Sequence, residues 1–575
     1  MKEYLRENKV ILLFILAWLT MNLLQAAFTE IIEDEAYYWL YSRFPAWGYF
    51  DHPPIIALLI RTGYWIVPNT LGARLFPSIM GAGTLLILWH LIPAGARDRK
   101  MFLWIIPAMI LMHLNVAGFA ALPDIPLVFF TSLFFLILKR YLEEDRWGQS
   151  ILLGITVALM MYSKYHALLI LFFTILSHLK LLRRRSFWFI VSIAVLLYLP
   201  HILWQIRNDF VSFEYHLVRR NDPFQPRQIL EYIGNQLLVT GPLVGIPLLY
   251  LAFSLKTRGS YERVLKFNLI GFFGFFLLTS IRGHVEPHWT AAAFLPLVTL
   301  SMINLVHRPG FQTWIRVLSL TSIPIILFIR LYLVWDFLPL PPNAERMFHQ
   351  KDTWASQIEE MAGDRPVVFM NKYQYPSVYW FYTGKTAFTR NNLLYRRNQF
   401  DIWPIEGDLE GREVILTRWG IQDSTLSIQT VHGEIHYFEI DRYCTFNRLK
   451  IKILKKELES VEGRDFSISA RLSNPTGRPV DLNCKCDLPP RLMYSFVDGE
   501  GKTSFFPVKD PPEIGVLEPG AEVILHLSIT APPEPGTYSL MVSFGSPVLL
   551  PGINGAPVNL KVFPRQETGL AGPHP

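Results

Sequence analysis

The sequence predicts a polytopic α-helical membrane protein of about 11 transmembrane helices, followed by a small α/β subdomain and an immunoglobulin-like β-sandwich. Three observations predict it. Residues 1–338 hold one long apolar run after another, whereas 340–575 read as ordinary water-soluble sequence. Lys and Arg gather in every second loop between the apolar runs. From about residue 447 the pattern switches to alternation of apolar and polar residues, the signature of half-buried strands.

The composition agrees. The 575 residues are 51% hydrophobic and only 18% charged, against ~25% charged in an average soluble protein. At about 20 apolar residues per span, the candidate helices are 9–28, 71–93, 101–118, 124–142, 149–164, 166–182, 186–204, 228–254, 264–281, 289–306 and 313–337. The stretch 53–67 is too short to span and carries Arg61, so it is expected at the interface. The first run follows a charged N-terminus without a small-x-small cleavage site, which predicts a retained helix rather than a signal peptide.

The charges orient these helices. With the N-terminus inside, the inside loops hold Lys2, Arg6 and Lys9, then Arg97, Arg99 and Lys100, then Lys139, Arg140 and Arg146. They continue with Lys180 and Arg183, with Lys256, Arg258, Arg263 and Lys266, and with Arg308. That alternation follows the positive-inside rule and places everything after Asp336 outside the cytoplasm. The net charge of +7 thus reports membrane orientation, and no nucleic-acid partner is expected. Beyond the membrane domain (1–339), the divisions are an α/β subdomain (340–446), the β-sandwich (447–563) and a loose tail (564–575). The sandwich rests on runs such as Val523, Leu525, Leu527 and Ile529, then Tyr538, Leu540, Val542 and Phe544. Three cysteines, Cys444, Cys484 and Cys486, allow free thiols or one bridge, with no second pair for zinc.

Groups able to do chemistry collect on the outer side. The loop 29–70 is acidic and aromatic, with Asp34 and Glu35 beside Tyr37 and Tyr38, and it closes on Asp51, His52 and a double proline. A carboxylate near the bilayer surface suits a base, and a solvated acidic loop is the plain alternative. Asp124 opens a span, where helix capping alone would account for it. Lys164 stands at an outer turn against the charge rule, and ionisable groups among membrane helices are functional candidates. Arg207, Arg219, Arg220, Arg282 and His284 add outer cations, each with a headgroup or carboxylate as its plainer partner. Glu286 sits before the tenth helix, where an acid favours the helix N-terminus.

Together these stretches resemble the GT-C glycosyltransferases of the protein O-mannosyltransferase and lipid A aminoarabinose transferase type. The carriers are 34–43 (DEAYYWLYSR), 47–54 (WGYFDHPP), 122–126 (LPDIP), 163–165 (SKY), 285–289 (VEPHW) and 372–385 (KYQYPSVYWFYTGK). The resemblance implies inverting transfer of a sugar from a polyprenyl-phosphate carrier to an envelope acceptor (lipid, glycan or protein) at the outer face of a bacterial inner membrane. It implies Asp34, followed by Glu35, as the catalytic acidic position, with Asp124 as a second. His52, Lys164, Arg207 and Arg219 are expected on the donor phosphate, and Tyr37, Tyr38, Asp51, His284 and Glu286 on substrate. His52 departs from the family, which carries lysine before the double proline in aminoarabinose transferases. No cofactor is firmly implied, and a divalent metal stays open. The competing classes are a lipid-linked sugar flippase or transporter and a non-enzymatic envelope scaffold. Both leave the acidic, aromatic first loop without a task.

Overall fold

The computed structural model describes residues 2–217, 225–339, 348–418, 426–546 and 549–565. The chain divides into two compact units, Met1–Lys351 and Asp352–Pro575.

The first unit is helical: α1 (Lys2–Phe28), α2 (Glu33–Arg43), α3 (Ile55–Ile66), α4 (Thr70–Leu91), α5 (Arg99–Ile105), α6 (Asp124–Glu143), α7 (Trp147–Ser163), α8 (Ala167–Ser177), α9 (Arg185–Arg207), α10 (Val211–Leu217), α11 (Pro226–Val239), α12 (Gly245–Ser254), α13 (Ser260–Thr279), α14 (Phe294–Leu305) and α15 (Gly310–Tyr332). Six segments among the described residues are long and apolar enough to cross a membrane: α1, α4, α6, α9, α15 and 287–305. This is a multi-pass membrane protein. Large apolar side chains such as Leu13, Leu16, Leu196 and Leu320 stay exposed on these helices, as a lipid solvent allows. Every residue of α14 is buried, so it runs through the middle of the bundle.

Two of the expected spans are broken at proline. The run 101–118 becomes α5, a 3₁₀ turn at Ile106–Ala108 and a π-helical turn at Met112–Val116. Pro107 brings no N–H to continue the ladder. The run 228–254 divides into α11 and α12 at Gly241, whose φ of 131° no ordinary residue holds easily, followed by Pro242. The expected interfacial stretch is α3, with Trp65 left 85% exposed. It folds back on α4 because Gly63 and Gly72 let the backbones touch: a Cβ on Gly63 would strike the Gly72 carbonyl oxygen.

The second unit starts with α16 (Lys351–Ala362), β1 (Val367–Met370), α17 (Gln374–Thr383), β2 (Ala387–Arg390), β3 (Val414–Arg418), β4 (Leu426–Thr430) and β5 (Gly433–Ile440). The sheet runs in the order β2-β1-β3-β5-β4, with β1 parallel to β2 and β3 and the β5 pairings antiparallel. Then come β6 (Lys450–Ile453), β7 (Glu457–Val461), β8 (Asp465–Ser473), β9 (Val480–Asp481), β10 (Arg491–Val497), β11 (Thr503–Pro507), β12 (Val516–Leu517), β13 (Glu522–Thr530), β14 (Gly536–Gly545) and β15 (Val558–Phe563). They form a five-stranded sheet β11-β10-β14-β15-β7, a three-stranded sheet β13-β8-β6 and a short β12-β9 pair. The alternation places Leu525, Leu527 and Ile529 of β13 in one core with Leu540, Val542 and Phe544 of β14. Val523 departs from it and stays 38% exposed.

The α/β subdomain and the strand-rich region share this one compact unit. The Arg478 guanidinium donates to Asp408 at 2.7 Å, Leu393 N donates to the Pro551 carbonyl at 3.0 Å, and Asn392 forms a β-bridge with Gly552. Of the expected tail, residues 566–575 lie outside the described residues.

Candidate active site

The short helix α2 carries three acids in its first turn, Glu33, Asp34 and Glu35. An α-helix turns by about 100° per residue, so neighbouring side chains meet different surroundings. Glu35 is fully buried and ion-paired with Arg74 of α4, whose Nε and Nη2 donate at 2.8 and 2.5 Å. The same carboxylate accepts from Ala121 N at 2.6 Å and from Ile32 N at 2.9 Å. Arg74 spends its remaining donors on the carbonyls of Ala26, Thr29 and Glu30, at 3.1, 2.7 and 2.8 Å. All five guanidinium donors are engaged. Glu35, expected as a catalytic acid, is thus bonded to α4 and to the loop 117–123 and ties α2 to both. Asp34, one residue earlier, is half-buried.

Asp51 and Tyr37, expected on substrate, are also bonded within the chain. Tyr37 and Tyr41 donate to Asp51 Oδ2 at 3.1 and 3.2 Å, and the Tyr41 and Tyr49 rings stack with centroids 4.0 Å apart. Tyr37 and Asp51 are 1% and 6% exposed. These contacts fasten the first long loop against itself. Tyr38, also buried, sets its ring edge-on to His52 at 5.4 Å.

Beside this loop opens a cavity of about 740 Å³. Its apolar wall includes Leu168, Leu169, Phe213, Phe275, Phe276 and Trp289, and its polar groups include His52, Lys164, Ser212, Arg282 and His284. Lys164 ends α7 and is 4% exposed. Its ammonium donates to Asp124 Oδ1 at 2.7 Å, while Asp124 Oδ2 accepts from Asn115 at 3.3 Å and faces His288 Nε2 at 3.8 Å. An ammonium has three donors, so this pairing leaves capacity for an anion in the cavity. Asp124 sits at the first turn of α6, and its partner lies forty residues on. Tyr165, also on the cavity wall, is fixed by Gln205, whose amide donates to its hydroxyl at 2.8 Å.

The structure thus gathers His52, Lys164 and His284 on one cavity, with Asp124 holding Lys164 from behind. Glu286 stands 3.7 Å from His284 at the half-exposed rim. Asp34 and Arg207 are not in the cavity lining, and Arg207 is exposed at the end of α9. Arg219 and Arg220 lie outside the described residues. Arg74, Asn115 and His288 join the site without having been singled out. Arg74 carries a signal of its own, an arginine just inside an apolar span. Nothing in the spacing marks Asn115. Among the described residues, the one group of three Cys, His or acidic side chains close enough to hold a metal ion is Cys444, Cys484 and Cys486, in the second unit.

Residues 51–204 match the family described as Dolichyl-phosphate-mannose-protein mannosyltransferase. A curated protein, Lipid A galacturonosyltransferase RgtD of Rhizobium johnstonii, is 22% identical over 258 residues, covering 41% of this chain and 52% of that protein. The chain spans about half the length of this relative. Among solved structures, ArnT from Cupriavidus metallidurans in the apo state superposes with a TM-score of 0.56 at 12% identity, over 75% of this chain and 98% of that one. At that identity the likeness concerns fold. The fold is that of the GT-C membrane glycosyltransferases, as the motif pattern leads one to expect.

Proposed function

We propose that this chain moves a sugar from a polyprenyl-phosphate carrier onto a lipid, glycan or protein acceptor, with inversion, at the extracytoplasmic face of a bacterial inner membrane. The observation that carries the reading is the cavity itself: an apolar wall suited to a prenyl chain, with the buried Lys164–Asp124 pair set into it. Both named relatives in sequence carry a glycosyl-transfer description, one a dolichyl-phosphate-sugar enzyme class and one a lipid A enzyme.

The chemistry needs few parts. When the glycosidic bond to phosphate breaks, negative charge grows on the departing phosphate oxygen, and fixed cations lower that barrier most when water is excluded. Lys164 supplies the charge, Asp124 fixes its direction, and His52 and Arg282 stand on the same cavity for the remaining phosphate oxygens. Asp34 takes the proton of the acceptor hydroxyl as general base. Glu35 keeps α2 in place so that Asp34 is presented. Phosphate leaves readily, so no general acid is required. A divalent ion bound with the donor would add to the same electrostatic effect.

The test is transfer by purified protein in sealed proteoliposomes supplied with a radiolabelled polyprenyl-phosphate hexose and envelope extract. Label should leave the carrier, and Asp34→Asn, a nearly isosteric change, should abolish release without impairing donor binding. Label that crosses the bilayer with its glycosidic bond intact would make the chain a flippase and end this reading. Near-normal turnover by the variant would remove Asp34 from the mechanism.

A further inference from the structure

The cysteines of the second unit meet at one point, although one comes from a connector and two from a distant loop. Cys444 lies between β5 and β6, and Cys484 and Cys486 follow β9. The Cys444 sulfur is within bonding reach of both other sulfurs, which stand 2.8 Å from each other. A sulfur atom makes one disulfide, so every bridged form leaves a third thiol beside the bridge. We propose that this cluster is a thiol–disulfide exchange site, in which Cys444 alternates between Cys484 and Cys486 and the displaced thiol accepts an external disulfide.

Three features support it. First, the two alternatives are nearly equal in chain entropy. They close loops of 40 and 42 residues, and the entropy of closure grows only with the logarithm of length. Second, the sulfurs are kept together by something other than the bridge. Asp487 Oδ2 accepts from the backbone N–H of Asp441 at 2.7 Å and of Arg442 at 3.3 Å. The loop therefore stays on the connector whichever bond exists. Third, Cys444 is 5% exposed whereas Cys484 and Cys486 are half-buried. The hub is protected, and the thiol left over is always one of the accessible pair.

The exchange is balanced in itself. The Cys486 thiolate attacks Cys444 Sγ of the 444–484 bridge, the new 444–486 bond forms, and the electron pair of the broken bond leaves on Cys484 as thiolate. With an outside disulfide RSSR, the resident thiolate forms a mixed disulfide and RS⁻ departs. The disulfide of a small thiol compound or of a dithiol protein fits that role. Persistence of such a bridge in cells rests on the extracytoplasmic placement proposed above, because the cytosol keeps thiols reduced.

Full-length protein, purified without reductant, is alkylated, digested and mapped by mass spectrometry, with bound metal measured in parallel. Both the 444–484 and the 444–486 bridges should appear, within roughly tenfold of each other, with one alkylated thiol per chain. Glutathione disulfide should add one adduct to the parent. It should add none to Cys486→Ser or Cys484→Ser, which keep a bridge and lose the spare thiol. A single bridge in all molecules, a 484–486 bridge, or stoichiometric metal held by all three sulfurs would each overturn the proposal. Should the thiols be fully reduced in cells while the oxidised purified chain forms both bridges, the exchange site stands and the placement outside the cytoplasm falls.

Discussion

The two units bury charge by different rules. In the membrane unit Arg74 is wholly buried, and each of its donors finds a carboxylate or carbonyl oxygen. The Asp124–Lys164 pair is nearly as complete. In the second unit Arg390 is 1% exposed, yet its Nε and Nη2 meet no hydrogen-bond partner among the described residues, and its guanidinium lies 4.4 Å over the Phe446 ring. Nearby Glu406, 2% exposed, is pushed by burial from its ordinary 4.5 up to about 7, with Arg390 pulling the other way. Among lipid-embedded helices no water makes up a missing bond, so the pairing must be supplied by the chain. In the second unit a proton can do part of that work, and stability there becomes pH-dependent.

The largest effect is expected where the pairing is most complete. Arg74→Ala strands the Glu35 carboxylate, and breaking a buried pair from one side costs about 3–5 kcal/mol. Thermal unfolding in detergent should register it as loss of the folded membrane unit. A variant that unfolds like the parent would show that α2 and α4 are held together without the clamp. Lys164→Ala should leave the fold measurable and slow transfer by about 10²–10³-fold, the usual loss when one preorganised donor to a developing anion is removed. Single-turnover rates alongside donor binding separate this from a structural effect, and an unchanged rate would take Lys164 out of the reaction.

Glu406 sharpens the comparison. Its folded pKa lies above the unfolded value, so between pH 4.5 and about 7 the folded unit keeps a proton that the unfolded chain has released. Stability of the second unit should fall as pH rises through that window and level off above it. At about 1.4 kcal/mol per pKa unit, the fall has a ceiling of about 3.5 kcal/mol. Glu406→Gln should flatten it in a denaturation series from pH 4 to 8, and a slope that survives the change belongs to another group. The smallest effect is expected from deleting 352–575. Because the two subdomains form one unit, the whole of it is removed and not the sandwich alone. Transfer to a small soluble acceptor should stay within about threefold of the parent, while glycosylation of the natural acceptor in cells is lost. Loss of both in a folded truncation would mean that this unit helps to build the active site.

What the sequence determined by itself is the periodicity of its segments. Apolar runs near residues 10–28, 71–93 and 186–204 became α1, α4 and α9, and alternation at 525–529 and 540–544 became β13 and β14. These signals are local: a segment partitions into lipid, or pairs one face with a core, on the strength of its own side chains. His52, Lys164 and His284, which come from three separate loops, line one cavity. Only the tertiary structure decided which acid does what. Asp34 and Glu35 are neighbours in the sequence, but the turn of one helix gives Glu35 to Arg74 thirty-nine residues away. Asp51 looked as available as His52 until two tyrosines bonded to it, and the three cysteines gave no sign of sharing a centre. Charges and thiols act through whatever meets them in space. Such meetings depend on how distant helices and strands cross, which no local pattern encodes.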